Sequence, residues 1–126
     1  MGRTEKTLLS TKKTLESEFS GLTVSTFVAD ITDKKALDTA FAGFTASAGP
    51  VKVLVCNAGY LPTLGTIVDS DISEYWKGFE INVLGNVNVV RAFAPHAAPE
   101  PSVIHISTVS DLHIPEDQKS RITDWM

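Results

Sequence analysis

Four short stretches of the chain hold side chains whose type and spacing suit ligand chemistry: Asp30-Ile31, Asn57-Ala58-Gly59, Asn82 and Ser107-Thr108. In Asn57-Ala58-Gly59 the small residues let a ligand approach the backbone closely, and glycine tolerates positive φ. The asparagine amide can brace neighbouring loops. Taken alone, the stretch is equally a turn that ends a strand. Asp30 can accept a hydrogen bond from an adenine amino group or a ribose, or help cap the next helix; by itself the capping role is the stronger reading. Asn82 and Gly85 both work against the helix in which the pattern places them, glycine by about 1 kcal/mol relative to alanine. Local conflict of that kind tends to mark a functional constraint, with an exposed polar residue as the plain alternative. Asn86 and Asn88 nearby show that asparagine alone is not diagnostic.

Other chemistries find less support. Ser107, Asp111 and His113 lie close in sequence, but no nucleophile-elbow spacing surrounds the serine, which argues against a hydrolase. The three histidines and single cysteine have no metal-ligand spacing. Cys56 sits inside an apolar run and reads as a small buried hydrophobe. With one cysteine, no internal disulfide is available, and a reducing, cytoplasmic location is expected. The polar start Met1–Lys6 has no signal-peptide core, and no apolar run reaches the about 20 residues a membrane span requires. A formal net charge of −4 argues against nucleic acid or anionic lipid as a partner.

The elements that would position these residues alternate. Apolar, β-branched runs at 23–28, 51–56 and 102–107 read as strands covered on both faces. Between them, Ala36, Leu37, Ala40, Phe41 and Phe44 trace one helix face behind an Asp33 cap. A longer helix over 71–94 opens on Asp71 with Glu74 in capping-box spacing and ends at Pro95. Its apolar stripe is Ile72, Trp76, Phe79, Val83, Val87 and Val90, and core packing against the sheet is its ordinary reading. A charged segment from Thr4 to Phe19 reads as a surface helix. The sum is an α/β chain of about three parallel strands and three helices, with one domain over 1–110 and an irregular tail over 111–126.

Taken in order, Asp30-Ile31-Thr32-Asp33, Val53-Leu54-Val55-Cys56-Asn57-Ala58-Gly59, Ile81-Asn82-Val83-Leu84-Gly85 and Val103-Ile104-His105-Ile106-Ser107-Thr108 resemble the short-chain dehydrogenase/reductase family in sequence, spacing and placement. The resemblance implies a partial Rossmann-like, doubly wound parallel sheet and an NAD(P)-dependent oxidoreductase acting on a small carbonyl or alcohol. It places Asp30 and Ile31 against adenine, Asn57, Ala58 and Gly59 along the cofactor, and Asn82 at a proton-relay water. Thr108, with Ser107 as the alternative, takes the place of the hydroxyl that orients the substrate. Gly2-Arg3 resembles the end of the family's second strand, where a basic residue faces the 2′-phosphate, so Arg3 points to NADP over NAD. By the same resemblance, the 71–94 helix is a surface through which copies could pair.

The resemblance also implies losses. The family's acid/base is a tyrosine with a lysine four residues on; without a neighbouring cation a phenol has a pKa near about 10 and stays neutral. Here Tyr60 and Tyr75 are followed at that spacing by Leu64 and Phe79, and 116–122 holds no tyrosine. The glycine-rich pyrophosphate turn has no counterpart either. In the strand order 3-2-1-4-5, the runs at 23–28, 51–56 and 102–107 match positions 3, 4 and 5, leaving a central gap. The expectation is therefore a chain truncated at both ends relative to the family domain, with no measurable hydride transfer. The alternative is a non-catalytic product that binds nucleotide weakly or pairs with a full-length relative.

Overall fold

The computed structural model describes residues 1–63, 66 and 68–107. The tail expected over 111–126, Thr108, and the Asp111 and His113 of the hydrolase reading lie outside the described residues.

The chain forms α1 (Glu5–Glu18), α2 (Lys34–Ala48), β1 (Val51–Cys56), α3 (Ile72–Phe79), α4 (Asn86–Phe93) and β2 (Ala97–His105). A π-helical segment, Glu80–Gly85, joins α3 to α4, and a 3-10 turn, Ala94–His96, leads into β2. The α/β class is as the sequence implies, with β1 and β2 paired in parallel. Among the described residues, no helix is long and apolar enough to cross a membrane.

α2 follows its pattern closely. Asp33 caps it by accepting a hydrogen bond from the Ala36 N–H at 3.0 Å, and Leu37, Ala40 and Phe41 are buried. They meet Val89, Ala92 and Phe93 of α4 and Leu54 and Cys56 of β1 in one core. The Phe41 ring lies 6.2 Å from that of Phe93, tilted by 58°, and 6.2 Å from His96, nearly parallel. His96 Nδ1 is 3.0 Å from the Thr45 hydroxyl, so its polar edge is satisfied where the ring meets the core.

Three elements differ from expectation. The strand expected at 23–28 appears only as one parallel bridge, Val28 with Gly2. The Gly2 N–H donates to Phe27 O at 3.2 Å, and the Ala29 N–H donates to Gly2 O at 3.0 Å. Just past the bridge the chain beside Val28 turns into α1 at Glu5, so the pairing goes no further in that direction. β2 begins earlier than the 102–107 run because Ala97 already pairs with Val51; the register then shifts before Val53 meets Ser102. The extra residues bulge outward with Glu100 at φ 51°, and the Lys52 ammonium bridges Pro99 O and Glu100 O, each at 2.7 Å. A non-glycine residue at positive φ stores strain, which these two bonds offset.

The third difference concerns the long helix. The stripe Ile72, Trp76, Phe79, Val83, Val87 and Val90 does not pack on the sheet; its members are between 40% and 74% exposed. The inward face consists instead of Gly78, Gly85, Val89, Ala92 and Phe93. Small residues allow the helix to approach its neighbours closely: a Cβ on Gly85 would come within 2.6 Å of Ile31 Cδ1. The capping box is also only half formed. Asp71 accepts from the Ser73 N–H at 2.8 Å, but the Glu74 carboxylate turns to Tyr60 and Lys77.

Candidate functional site

A cleft of about 630 Å³ opens between the Gly2–Val28 bridge and β1. It lies between the 23–28 and 51–56 segments, where the strand order 3-2-1-4-5 leaves its central gap, and Phe27, Phe41, Phe44, Val53, Leu54 and Val55 make most of its lining apolar. Arg3, Asp30, Ile31, Asn57, Ala58 and Gly59 all line it, together with Phe27, Val53 and Val55. Six of the residues singled out from the sequence thus share one concave surface. The parallel β1–β2 pair and the isolated parallel Gly2–Val28 bridge stand on either side of it, and the residues that follow β1 and Val28 both reach the cleft.

Asp30 ends the bridged segment, where its Oδ1 accepts from the Thr32 N–H at 2.9 Å and the Thr32 hydroxyl at 2.7 Å. These two bonds, the backbone one foremost, hold its carboxyl below the usual carboxylate range; burial opposes them, and the Arg3 guanidinium adds a lesser lowering. The Asp30 side chain closes a local turn with Thr32 at the cleft edge and does not take the capping role that the sequence favoured for it. Asp33, not Asp30, caps α2.

Gly59 does not use left-handed backbone; among the described glycines only Gly21 and Gly49 do. A Cβ at Gly59 would meet Asn82 Oδ1 at 3.7 Å, an ordinary contact. The value of the Asn57-Ala58-Gly59 turn therefore lies in small, exposed residues beside the cleft, not in backbone freedom. Cys56, just before it, is buried, and that burial pushes its thiol up.

Asn82 sits in the π-helical segment, a wide turn often found at functional sites. Its amide clamps Tyr60: Oδ1 accepts from the Tyr60 N–H, and Nδ2 donates to Tyr60 O, both at 2.8 Å. Its own carbonyl accepts from Asn86 Nδ2 at 2.8 Å. Asn82 therefore reaches the cleft through the turn that it holds, whereas Asn86 lines it directly. Sequence reasoning passed over Asn86 and also Asn88, whose Nδ2 lies 3.4 Å from Ile31 O. The signal for Asn86 was its i, i+4 spacing from Asn82, which brings the two to one face. Ser107 follows β2, exposed and outside the cleft lining.

The adenosine half of a dinucleotide fits this donor set: an anionic acceptor at Asp30, a cation at Arg3, an apolar Ile31 and a small-residue turn. Among the described residues no group of three or more acidic, histidine or cysteine side chains could hold a metal.

Comparison with known proteins agrees with the fold. A family model described as enoyl-(acyl carrier protein) reductase matches residues 4–120. The chain is 39% identical over 66 residues to the short chain dehydrogenase tazN of Aspergillus terreus, covering 52% of this chain and 14% of that protein. It is 33% identical over 103 residues to trans-4-hydroxycyclohexanecarboxylate dehydrogenase of Sinomonas cyclohexanicum, covering 78% of this chain and 39% of that protein. The fold superposes on L-sorbose reductase from Gluconobacter frateurii, solved with NADPH and L-sorbose, with a TM-score of 0.74 at 22% identity, covering 86% of this chain and 41% of that one. The chain thus spans less than half the length of each of these three proteins. With the motifs in register, the matching family model and the shared fold, the chain belongs to the short-chain dehydrogenase/reductase family of oxidoreductases.

Proposed function

We propose that this chain binds the adenosine part of NADP as a piece of a short-chain oxidoreductase and does not itself transfer hydride. The observation that supports this reading is the single cleft in which Arg3, Asp30, Ile31 and Asn57-Ala58-Gly59 converge. When bound, the dinucleotide would supply the hydride-carrying nicotinamide. The chain's own groups bind and orient: Arg3 pairs with the 2′-phosphate, Asp30 accepts from the adenine amino group, and Ile31 covers the ring face. Asn82 steadies the turn along the cofactor, and Ser107 or Thr108 would orient a small carbonyl or alcohol substrate. The sequence offers neither Tyr60 nor Tyr75 a lysine four residues on, so no phenol is poised as acid or base. The same reading places the chain in the reducing cytoplasm, in keeping with a single, buried cysteine.

Without a glycine-rich pyrophosphate seat in the sequence, NADPH affinity is expected to be on the order of 0.1–1 mM, where 1 mM corresponds to about −4 kcal/mol. Titration of NADPH fluorescence tests the reading. Arg3→Ala should remove the preference for NADPH over NADH, and Asp30→Ala should weaken both. No saturable binding, or equal affinity for the two nucleotides before and after Arg3→Ala, would sink it.

The exposed stripe on α3, the π segment and α4 favours a second reading alongside the first: copies of this chain, or the chain and a full-length relative, pair through the 71–94 helix. Trp76 is 61% exposed and Val83 56%, apolar area that self-association would remove from water. Size-exclusion chromatography should show a dimer that Val83→Asp converts to monomer with the fold intact. A strict monomer at all concentrations would remove this reading and leave the nucleotide reading untouched.

A further inference from the structure

Tyr60 follows the Asn57-Ala58-Gly59 turn directly, and none of the roles above uses its phenol. Its hydroxyl donates to the Glu74 carboxylate on α3. The Lys77 ammonium, one turn further along, lies 3.4 Å from Glu74 Oε1 and 4.8 Å from the centre of the Tyr60 ring. One residue is thus held at its edge by a carboxylate and on its face by a cation. Its main chain is held as well, since Asn82 takes both the N–H and the carbonyl at 2.8 Å. Every polar group of Tyr60 is tied to the α3–π segment. The turn before it is anchored at its other end by β1, whose Cys56 carbonyl accepts from the Ile106 N–H at 2.9 Å.

The two ties differ in strength. Lys77 and Glu74 are 47% and 42% exposed, so their ion pair is largely screened. A phenol donating to a carboxylate is charge-assisted and stronger than a neutral hydrogen bond. We propose that Tyr60 and Glu74, with Lys77 as a lesser third member, form a latch that positions the Asn57-Ala58-Gly59 turn beside the cleft. These are positioning residues, and their effect on nucleotide binding rests on the reading proposed above; their effect on the turn does not.

Amide hydrogen exchange in the whole chain tests the latch without any ligand. Tyr60→Phe should speed exchange of the Tyr60 amide about tenfold, with the β1 amides unchanged. Glu74→Ala should do the same, Glu74→Gln should keep only part of the protection because a neutral acceptor remains, and Lys77→Met should change it by about twofold or less. An unchanged Tyr60 amide in Tyr60→Phe would overturn the proposal, as would equal acceleration throughout β1, which marks general loosening. Exchange in Glu74→Gln as fast as in Glu74→Ala would overturn Glu74 as the acceptor. In parallel, NADPH titration should show weaker binding by Tyr60→Phe. Faster exchange in a chain that binds no NADPH in either form would sink the nucleotide reading and leave the latch standing.

Discussion

The two walls of the cleft are built by different means. On one side, β1 rests on α2 and α4 through a continuous core in which Leu37 is fully buried and Phe41 and Phe93 are 4% and 3% exposed. On the other, the segment around Ala29 also reaches that core, but Gly2 and Arg3 lead directly into α1, which runs for 14 residues without one buried side chain. That side is joined to the rest by the Gly2–Val28 bridge and by a bond from the Val24 N–H to Glu16 Oε1 at 2.9 Å. The Lys12–Glu16 pair at 3.7 Å is partly exposed and adds little. Asn57-Ala58-Gly59 belongs to the firm wall and Arg3 to the loose one. A ligand spanning the cleft would therefore find one partner preorganised and would have to order the other, which lowers affinity.

The largest effect should separate the two walls directly. Phe93→Ala removes a ring packed against Phe41 and should cost about 3–5 kcal/mol by urea denaturation, a large part of the about 5–15 kcal/mol typical of a domain. Leu15→Ala, at a half-buried position of the mostly exposed α1, should cost less than about 1 kcal/mol. Comparable losses in the two variants would show that α1 is part of the same cooperative core.

Next comes the contact where the walls touch. A Cβ at Gly85 would lie 2.6 Å from Ile31 Cδ1 and 2.7 Å from its Cγ1. Gly85→Ala should cost about 1–3 kcal/mol from overpacking, reduced by about 1 kcal/mol of helix propensity. Ile31→Ala in the same chain removes the clashing atoms, so the double variant should recover most of the loss. Additive losses in that cycle would mean the Gly85–Ile31 contact does not join the walls.

The firm wall is also the part that the sequence made legible. α2 could be read because its cap and its stripe are local, three and four residues apart. Pro95 ended the long helix as expected because its missing N–H and fixed φ act locally. What could not be read depended on partners distant in sequence. The 23–28 run has the composition of a strand, yet composition does not say what pairs with it, and among the described residues only Gly2 bridges it, at Val28. The long helix has two apolar faces, and the one with the larger side chains looked like the core face; the smaller residues Gly78 and Gly85 won because they permit closer approach. At the site, Arg3, Asp30 and the turn after β1 could be named from motifs, and the structure brings them to one cleft. The Tyr60–Glu74 contact left no trace, since Glu74 stands where a capping box would employ it.

A smaller effect lies within the firm wall. Asp33→Ala removes the acceptor of the Ala36 N–H at 3.0 Å and should cost about 1 kcal/mol by urea denaturation. Asp33→Asn keeps an acceptor at that position and should lose only a few tenths of that amount. Equal losses in the two variants would show that charge, and not the hydrogen bond, accounts for the cap.

The smallest effect belongs to the loose wall and to pH. Asp30 titrates below its ordinary value of 3.8 in the folded chain because the Thr32 N–H and hydroxyl hydrogen-bond its charged form, with Arg3 assisting. A lowered folded pKa means that the unfolded chain binds the proton more readily. The stabilisation is therefore fully present above the unfolded pKa and is lost as pH falls through the folded one. Stability should be level in this respect from neutral pH to about 5 and decline below about 4, and Asp30→Asn should remove that part of the decline. The group is largely solvated, so the change should be a fraction of the Asp33 effect. Urea midpoints at neutral pH and below pH 4 in the native chain and Asp30→Asn measure it. An equally steep acid decline in both would show that the Asp30–Thr32 turn does not hold the loose wall, and that Arg3 must be placed by the Gly2–Val28 bridge alone.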